Sequence, residues 1–248
     1  MASSSLLLAQ AFFLLLATAT AEQYSPMTLT VVNNCPFAIW PAIQPNAGSE
    51  LLQGGGFELP TLAYRSFPAP AGPWSGRIWA RTGCRHGPGG SFSCETGDCG
   101  ARFACGGLGG TVPATLAQLS LHQGADKVSY GVSLVDGFNL PVTVTPHEGS
   151  GVCPVVGCRA DLLPGCPAPL QVTEGAGQVV GCKSGCTAFG TDKLCCRNSY
   201  SSPSKCRPSS YSSYFKRACP ATYTYPHDTP SLQPDCAAPK ELKLIFCH

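Results

Sequence analysis

AFGTDKLCC, residues 188–196, closes on two adjacent cysteines, and the use made of them decides what kind of fold this chain can have. A structural zinc site would show paired C-x2-C spacing. The chain offers only Cys153-x4-Cys158, Cys182-x3-Cys186 and the neighbours Cys195 and Cys196, which form no such framework. No metal and no other cofactor is therefore expected. The sixteen cysteines are an even number, so all of them can pair, but the count leaves the connectivity of the resulting bridges open. Cysteines used in this way need an oxidising compartment.

The N-terminus fits that compartment. MASSSLLLAQAFFLLLATATA carries an apolar run from Leu6 to about Ala17 and then the A-x-A pattern of Ala19, Thr20 and Ala21, so a secretory signal peptide is expected over residues 1–21, although its n-region has no Lys or Arg. The run is shorter than the roughly 20 apolar residues of a membrane span. No later segment qualifies, and ELKLIFCH at the C-terminus shows no lipid-anchor signal, so the mature chain is expected to be soluble and secreted.

Charged residues make up only 12% of the chain, against about 25% in an average globular protein. The formal net charge of +2 is unevenly spread: Lys183, Lys193, Arg197, Lys205, Arg207, Lys216 and Arg217 face only Asp192 over residues 183–217. A solvated face on a disulfide-held lobe accounts for this stretch, with contact to an anionic wall or membrane as the alternative, and a nucleic-acid role is set aside for an exported protein.

Short runs rich in β-branched and aromatic residues, each closed by Gly, Pro or Asn, fill residues 27–81: MTLTVVNNC, FAIWPAI, GGFELP, LAYRSFPAP and GRIWART. They predict an antiparallel sandwich, and strand character returns over 111–146 with ATLAQLSL, VSYGVSLV and LPVTVTP. Between these blocks lies a Gly-rich loop with four cysteines, too poor in apolar residues to fold without staples. Residues 150–219 hold nine cysteines and predict a satellite lobe with a helix over about Gln178–Phe189 and a second, short one over Tyr211–Lys216. CAAPKELKLIFCH supplies a last strand that returns to the main sheet. In SLVDGFNLP, Ser133–Pro141, the Asp-Gly pair between apolar runs reads as the corner of a hairpin. No N-x-S/T sequon occurs.

GRIWARTGC, FSCETGDCG, PATLAQLSL, SLVDGFNLP, AFGTDKLCC and YTYPHD, followed by a Cys and a terminal FC, fall in an order that resembles the thaumatin-like, pathogenesis-related family of plants, of the osmotin and thaumatin type. The likeness covers essentially the whole mature chain, with Ala101 a departure where the family has a second Gly after GDC. It implies one thaumatin-like domain over residues 22–248. Its sandwich core would span about 22–81, 113–159 and 219–248, its small disulfide loop about 82–112, and its disulfide-rich lobe about 160–218. It also implies the pairs Cys35–Cys247, Cys84–Cys94, Cys99–Cys105, Cys153–Cys236, Cys158–Cys219, Cys166–Cys182, Cys186–Cys195 and Cys196–Cys206.

The resemblance further implies an acidic cleft between sandwich and lobe, formed in the family by an Arg, a Glu and three Asp residues. Arg77, Asp136 and Asp228 match three of those positions, whereas Gln118 stands for the Glu and Gly131 for an Asp. Glycoside hydrolysis normally needs a protonated acid opposite a carboxylate, about 5 or about 6.5–9.5 Å apart. Gln118 cannot transfer a proton but still hydrogen-bonds sugar hydroxyls. Asp136 and Asp228 are expected as ionised carboxylates held by Arg77, with no catalytic residue among them. His227 next to Asp228 forms no dyad if the two lie on an extended strand, and the five histidines are expected at the surface.

Three functions compete. One is a secreted, monomeric defence protein in the apoplast or cell wall that binds β-glucan or another wall polysaccharide, with antifungal effect but without turnover. The others are a weak endo-β-1,3-glucanase and an inhibitor or interaction module directed at a microbial enzyme.

Overall fold

The computed structural model describes residues 24–248, so the leader expected over 1–21 lies outside the described residues. The first block contributes β1 (Thr28–Asn33), β2 (Trp40–Pro45), β3 (Tyr64–Pro68) and β4 (Trp74–Arg81). The small loop holds the two-residue strands β5 (Arg85–His86) and β6 (Phe92–Ser93). The second block gives β7 (Leu116–Gln123), β8 (Lys127–Ser133), β9 (Val142–His147), β10 (Ser150–Val152) and β11 (Val156–Cys158). In the lobe lie β12 (Gln171–Glu174), β13 (Gln178–Cys182), α1 (Gly185–Phe189), α2 (Asp192–Cys195) and α3 (Ser210–Ala218). The chain closes with β14 (Thr222–Tyr223), β15 (Asp235–Ala237) and β16 (Glu241–Phe246).

Two sheets face each other. One runs β11-β9-β16-β1-β3; the other runs β10-β15-β8-β7-β4-β2, with β14 added alongside β8. Alternation drives the packing: in ELKLIF every second residue, Leu242, Leu244 and Phe246, points into the core, and each such burial contributes about 1.5–3 kcal/mol. They meet Leu29 and Val31 of β1 and Val142 and Val144 of β9 within their own sheet, and Ile43, Ile78, Leu119 and Val132 of the facing one. The sandwich is not wholly antiparallel, because β16 pairs with β1, and β14 with β8, in parallel.

The structure corrects several expectations. Gln178–Cys182 is not helical: QVVGC is β-branched and pairs with β12 across a turn in which Gly175 and Gly177 take positive φ. The helix there is only α1, capped by the Ser184 hydroxyl accepting from the Thr187 N–H. α3 extends beyond the expected Tyr211–Lys216 at both ends, started by a Ser209–Ser212 capping box and anchored by buried Phe215. GGFELP forms no strand and contributes only isolated bridges to Ile39 and Ala42.

The Asp-Gly turn is real but joins no hairpin. β8 lies in one sheet and β9 in the other, so Leu134–Gly137 turns the chain from sheet to sheet. Gly137, at φ +96°, is forced there twice over, since a Cβ would stand 2.6 Å from the Cys182 carbonyl oxygen. His122 departs from the expected surface position: it is 2% exposed, and its Nδ1 shares a hydrogen with Asp126 Oδ1 at 2.6 Å. Burial works to raise the Asp126 pKa, but hydrogen bonds from His122 and the Ser25 N–H hold the carboxyl below its ordinary range.

A second core under the lobe gathers Leu134, Phe138, Leu162, Leu170 and Phe215 around the half-cystines. The small loop is fastened from inside by Arg81. This residue is fully buried, and its guanidinium donates to the carbonyls of Arg102 and Phe103, both at 2.7 Å, and of Trp40 at 3.1 Å. Burial pushes its pKa down to about 10 against the opposing field of Asp98, so it stays charged at neutral pH. Eight disulfides join Cys35 to Cys247, Cys84 to Cys94, Cys99 to Cys105, Cys153 to Cys236, Cys158 to Cys219, Cys166 to Cys182, Cys186 to Cys195 and Cys196 to Cys206. These are the partners that the resemblance implies. In a chain-entropy account the first bridge contributes roughly 5 kcal/mol and the second roughly 3.

Candidate functional site

Across the outer face of the larger sheet, register aligns four positions. Gln44 of β2 is opposite Arg77 of β4, Arg77 is opposite Gln118 of β7, and Gln118 is opposite Gly131 of β8. Directly opposed residues share a face, so two amides and a guanidinium form one polar row that stops where Gly131 has no side chain. That space is not empty. A Cβ on Gly131 would come within 2.9 Å of the Tyr223 ring, which β14 lays beside β8, so an aromatic face stands where the resemblance implies a carboxylate.

Three cavities follow one another from this row toward the lobe. The first, about 260 Å³, is lined by Arg77, Gln118, Asn46, Ser120, Ser129 and Tyr223, among others. The second, about 50 Å³, shares Arg77 with it and adds Gln44 and Asp136. The third, about 170 Å³, shares Asp136 and continues between the lobe and the Thr224–Pro226 loop. Together they make a trough running from sheet to lobe. Among the described residues, the Arg77 guanidinium and the Asp136 carboxylate have no hydrogen bond or ion pair, so both are available to a ligand.

Asp228 is placed differently from the expectation. Its carboxylate accepts from the Thr224 N–H and hydroxyl, both at 2.8 Å, from the Thr229 N–H at 2.8 Å, and pairs with Lys216 Nζ at 2.7 Å. With its side chain 7% exposed, it ties the 224–229 turn to α3 and lines none of the three cavities. The expected clamp of two carboxylates by Arg77 is therefore absent among the described residues, and the cation on Asp228 is Lys216. His227 sits in the same turn, not on a strand, and its Nε2 contacts the Ser201 carbonyl at 2.8 Å.

Asp136 is the one carboxylate in the lining of the trough. An amide row, hydroxyls, a free guanidinium and an aromatic face can hydrogen-bond and stack on a sugar chain, whereas acid-base cleavage asks for a second carboxyl group across the bond. Sequence reasoning missed Tyr223, whose role depends on a two-residue parallel strand with no signal of its own. Arg197 and Arg207, read in the sequence only as part of the basic stretch 183–217, enter the third cavity because of where the bridges fall.

With this geometry in view, relatives can be compared. An osmotin-like protein of Solanum lycopersicum is 62% identical over 253 residues, covering 100% of both chains. A glucan endo-1,3-beta-glucosidase of Prunus avium is 40% identical over 221 residues, 89% of this chain and 90% of that one. Among solved structures, a thaumatin-like xylanase inhibitor superposes with a TM-score of 0.50 at 27% identity, covering 89% of this chain and 99% of its own. The Thaumatin family model matches residues 33–248, from the last residue of β1 through every bridge to the C-terminal His, and the chain belongs to that family.

Proposed function

We propose that the protein is secreted and acts in defence by holding a β-1,3-linked wall glucan along the trough, without cleaving it. The observation that carries this reading is the trough's lining: free Arg77, the Gln44 and Gln118 amides, Tyr223, and a single carboxylate, Asp136. The amides and guanidinium supply directional hydrogen bonds to sugar hydroxyls, and the ring supplies an apolar face. Asp136 accepts from hydroxyls but has no carboxyl partner in the trough to act as general acid. The Prunus avium relative, named for glucan hydrolysis, supports glucan as the ligand class. The eight bridges support export, and a relative named as a pathogenesis-related thaumatin-like protein supports a role in defence.

The test is titration of the oxidised mature protein with laminari-oligosaccharides alongside a reducing-end assay on laminarin. Binding that falls roughly tenfold in Arg77→Gln or Gln118→Ala, with no new reducing ends, is the expected result. Turnover abolished by Asp136→Asn would instead make the protein a glucanase. Capture of a microbial hydrolase with no glucan affinity would make it an inhibitor.

A further inference from the structure

The Cys196–Cys206 bridge places two arginines beside the third cavity. Arg197 and Arg207 each follow a bridged cysteine, the two cysteine Cα atoms are 5.3 Å apart, and both arginines line the cavity with Ser184, Ser209, Tyr225 and Asp136. Neither guanidinium has a hydrogen bond or ion pair among the described residues. The acid nearest in sequence, Asp192, accepts from Asn198 Nδ2 at 2.9 Å instead. The charged groups of the lining are thus two guanidiniums and one carboxylate, a net charge of +1.

We propose that this lobe-end cavity binds the carboxylate of an acidic sugar, a uronate unit of a wall glycan, as a subsite distinct from the sheet end of the trough. A guanidinium matches a carboxylate with two parallel N–H donors, and the cavity lining offers two guanidiniums. The ring of Tyr225 in the same lining is of the kind that meets a pyranose face. The charge balance selects the ligand. A uronate monoanion neutralises the lining, whereas a phosphate ester, carrying about −1.5 to −2, would be opposed by Asp136. The inference builds on the trough of the proposed function only for the direction of a longer chain; the anion site stands on its own residues.

Isothermal titration of the oxidised protein with trigalacturonate at low ionic strength tests it. The expected result is binding that weakens roughly tenfold in the Arg197→Gln/Arg207→Gln variant, strengthens in Asp136→Asn, and is lost for the methyl-esterified trimer. Both arginines are exposed, so the double variant keeps its fold, checked by near-ultraviolet circular dichroism. Equal binding of ester and acid, tighter binding of glucose 6-phosphate than of galacturonate, or an unaffected double variant would overturn the proposal. Laminari-oligosaccharide binding is measured alongside on the same oxidised protein. If that binding is absent while trigalacturonate binds, only the glucan reading falls; the converse removes only the uronate site.

Discussion

Tyr223 does for the trough what no single position in the sequence announces: it fills the space left by Gly131 and turns an expected acidic spot into an aromatic one. Gly131→Asp should therefore cost stability, by about 1–3 kcal/mol for the displaced ring, and not merely add a charge. Thermal unfolding checks this: the melting temperature should fall in Gly131→Asp and largely recover when Tyr223→Ala is added. Gln118 is exposed, so Gln118→Glu should leave the melt unchanged. At this scale the sequence was legible wherever the backbone fixes the outcome. Arg77 and Gln118 had to be cross-strand neighbours once their strands paired. Asp228 was opaque, because whether a carboxylate faces a groove or its own turn depends on a lysine twelve residues away on α3.

Among the elements, the crossover from β8 to β9 does the most to position the site, and Asn139 holds it. This buried amide accepts from the Thr115 N–H at 3.0 Å and the Leu140 N–H at 2.9 Å, and donates to the Ala80 carbonyl and the Thr96 hydroxyl, both at 2.8 Å. The bonds to Ala80 and Thr96 join the crossover to β4 and the small loop, the bond from Thr115 joins it to the residue before β7, and removing the amide strands these buried partners away from water. Asn139→Ala should destabilise by roughly 3 kcal/mol, measured by chemical denaturation of the oxidised protein. It should also loosen Asp136, three residues earlier in the same crossover, and so weaken ligand binding. The strands themselves were readable from alternation, as in ELKLIF. The crossover was not, since Asp-Gly between apolar runs is local chemistry shared by hairpins and by turns that change sheets. QVVGC likewise read as part of a helix until β12 supplied a partner, because a five-residue run has too few periods to tell 3.6 from 2.

For the molecule as a whole, two cores and a fastened loop are held in one piece by bridges that span very different lengths of chain. The lobe lacks long apolar runs and relies on Cys158–Cys219 and Cys166–Cys182 to bring Leu162, Leu170 and Phe215 together. The adjacent cysteines of AFGTDKLCC send one bridge back to α1 and the other forward to Cys206, so one dipeptide fixes both sides of the lobe-end cavity. Composition made the need for such crosslinks legible, while the pairing came from the family likeness. Cys35–Cys247 encloses all but the ends of the described chain. A single peptide-bond cut anywhere between those two residues leaves two fragments still covalently joined. A nicked sample should thus migrate as one full-mass band on a non-reducing denaturing gel and separate only after thiol treatment, so that damage to the backbone stays hidden from any assay that keeps the sulfurs oxidised.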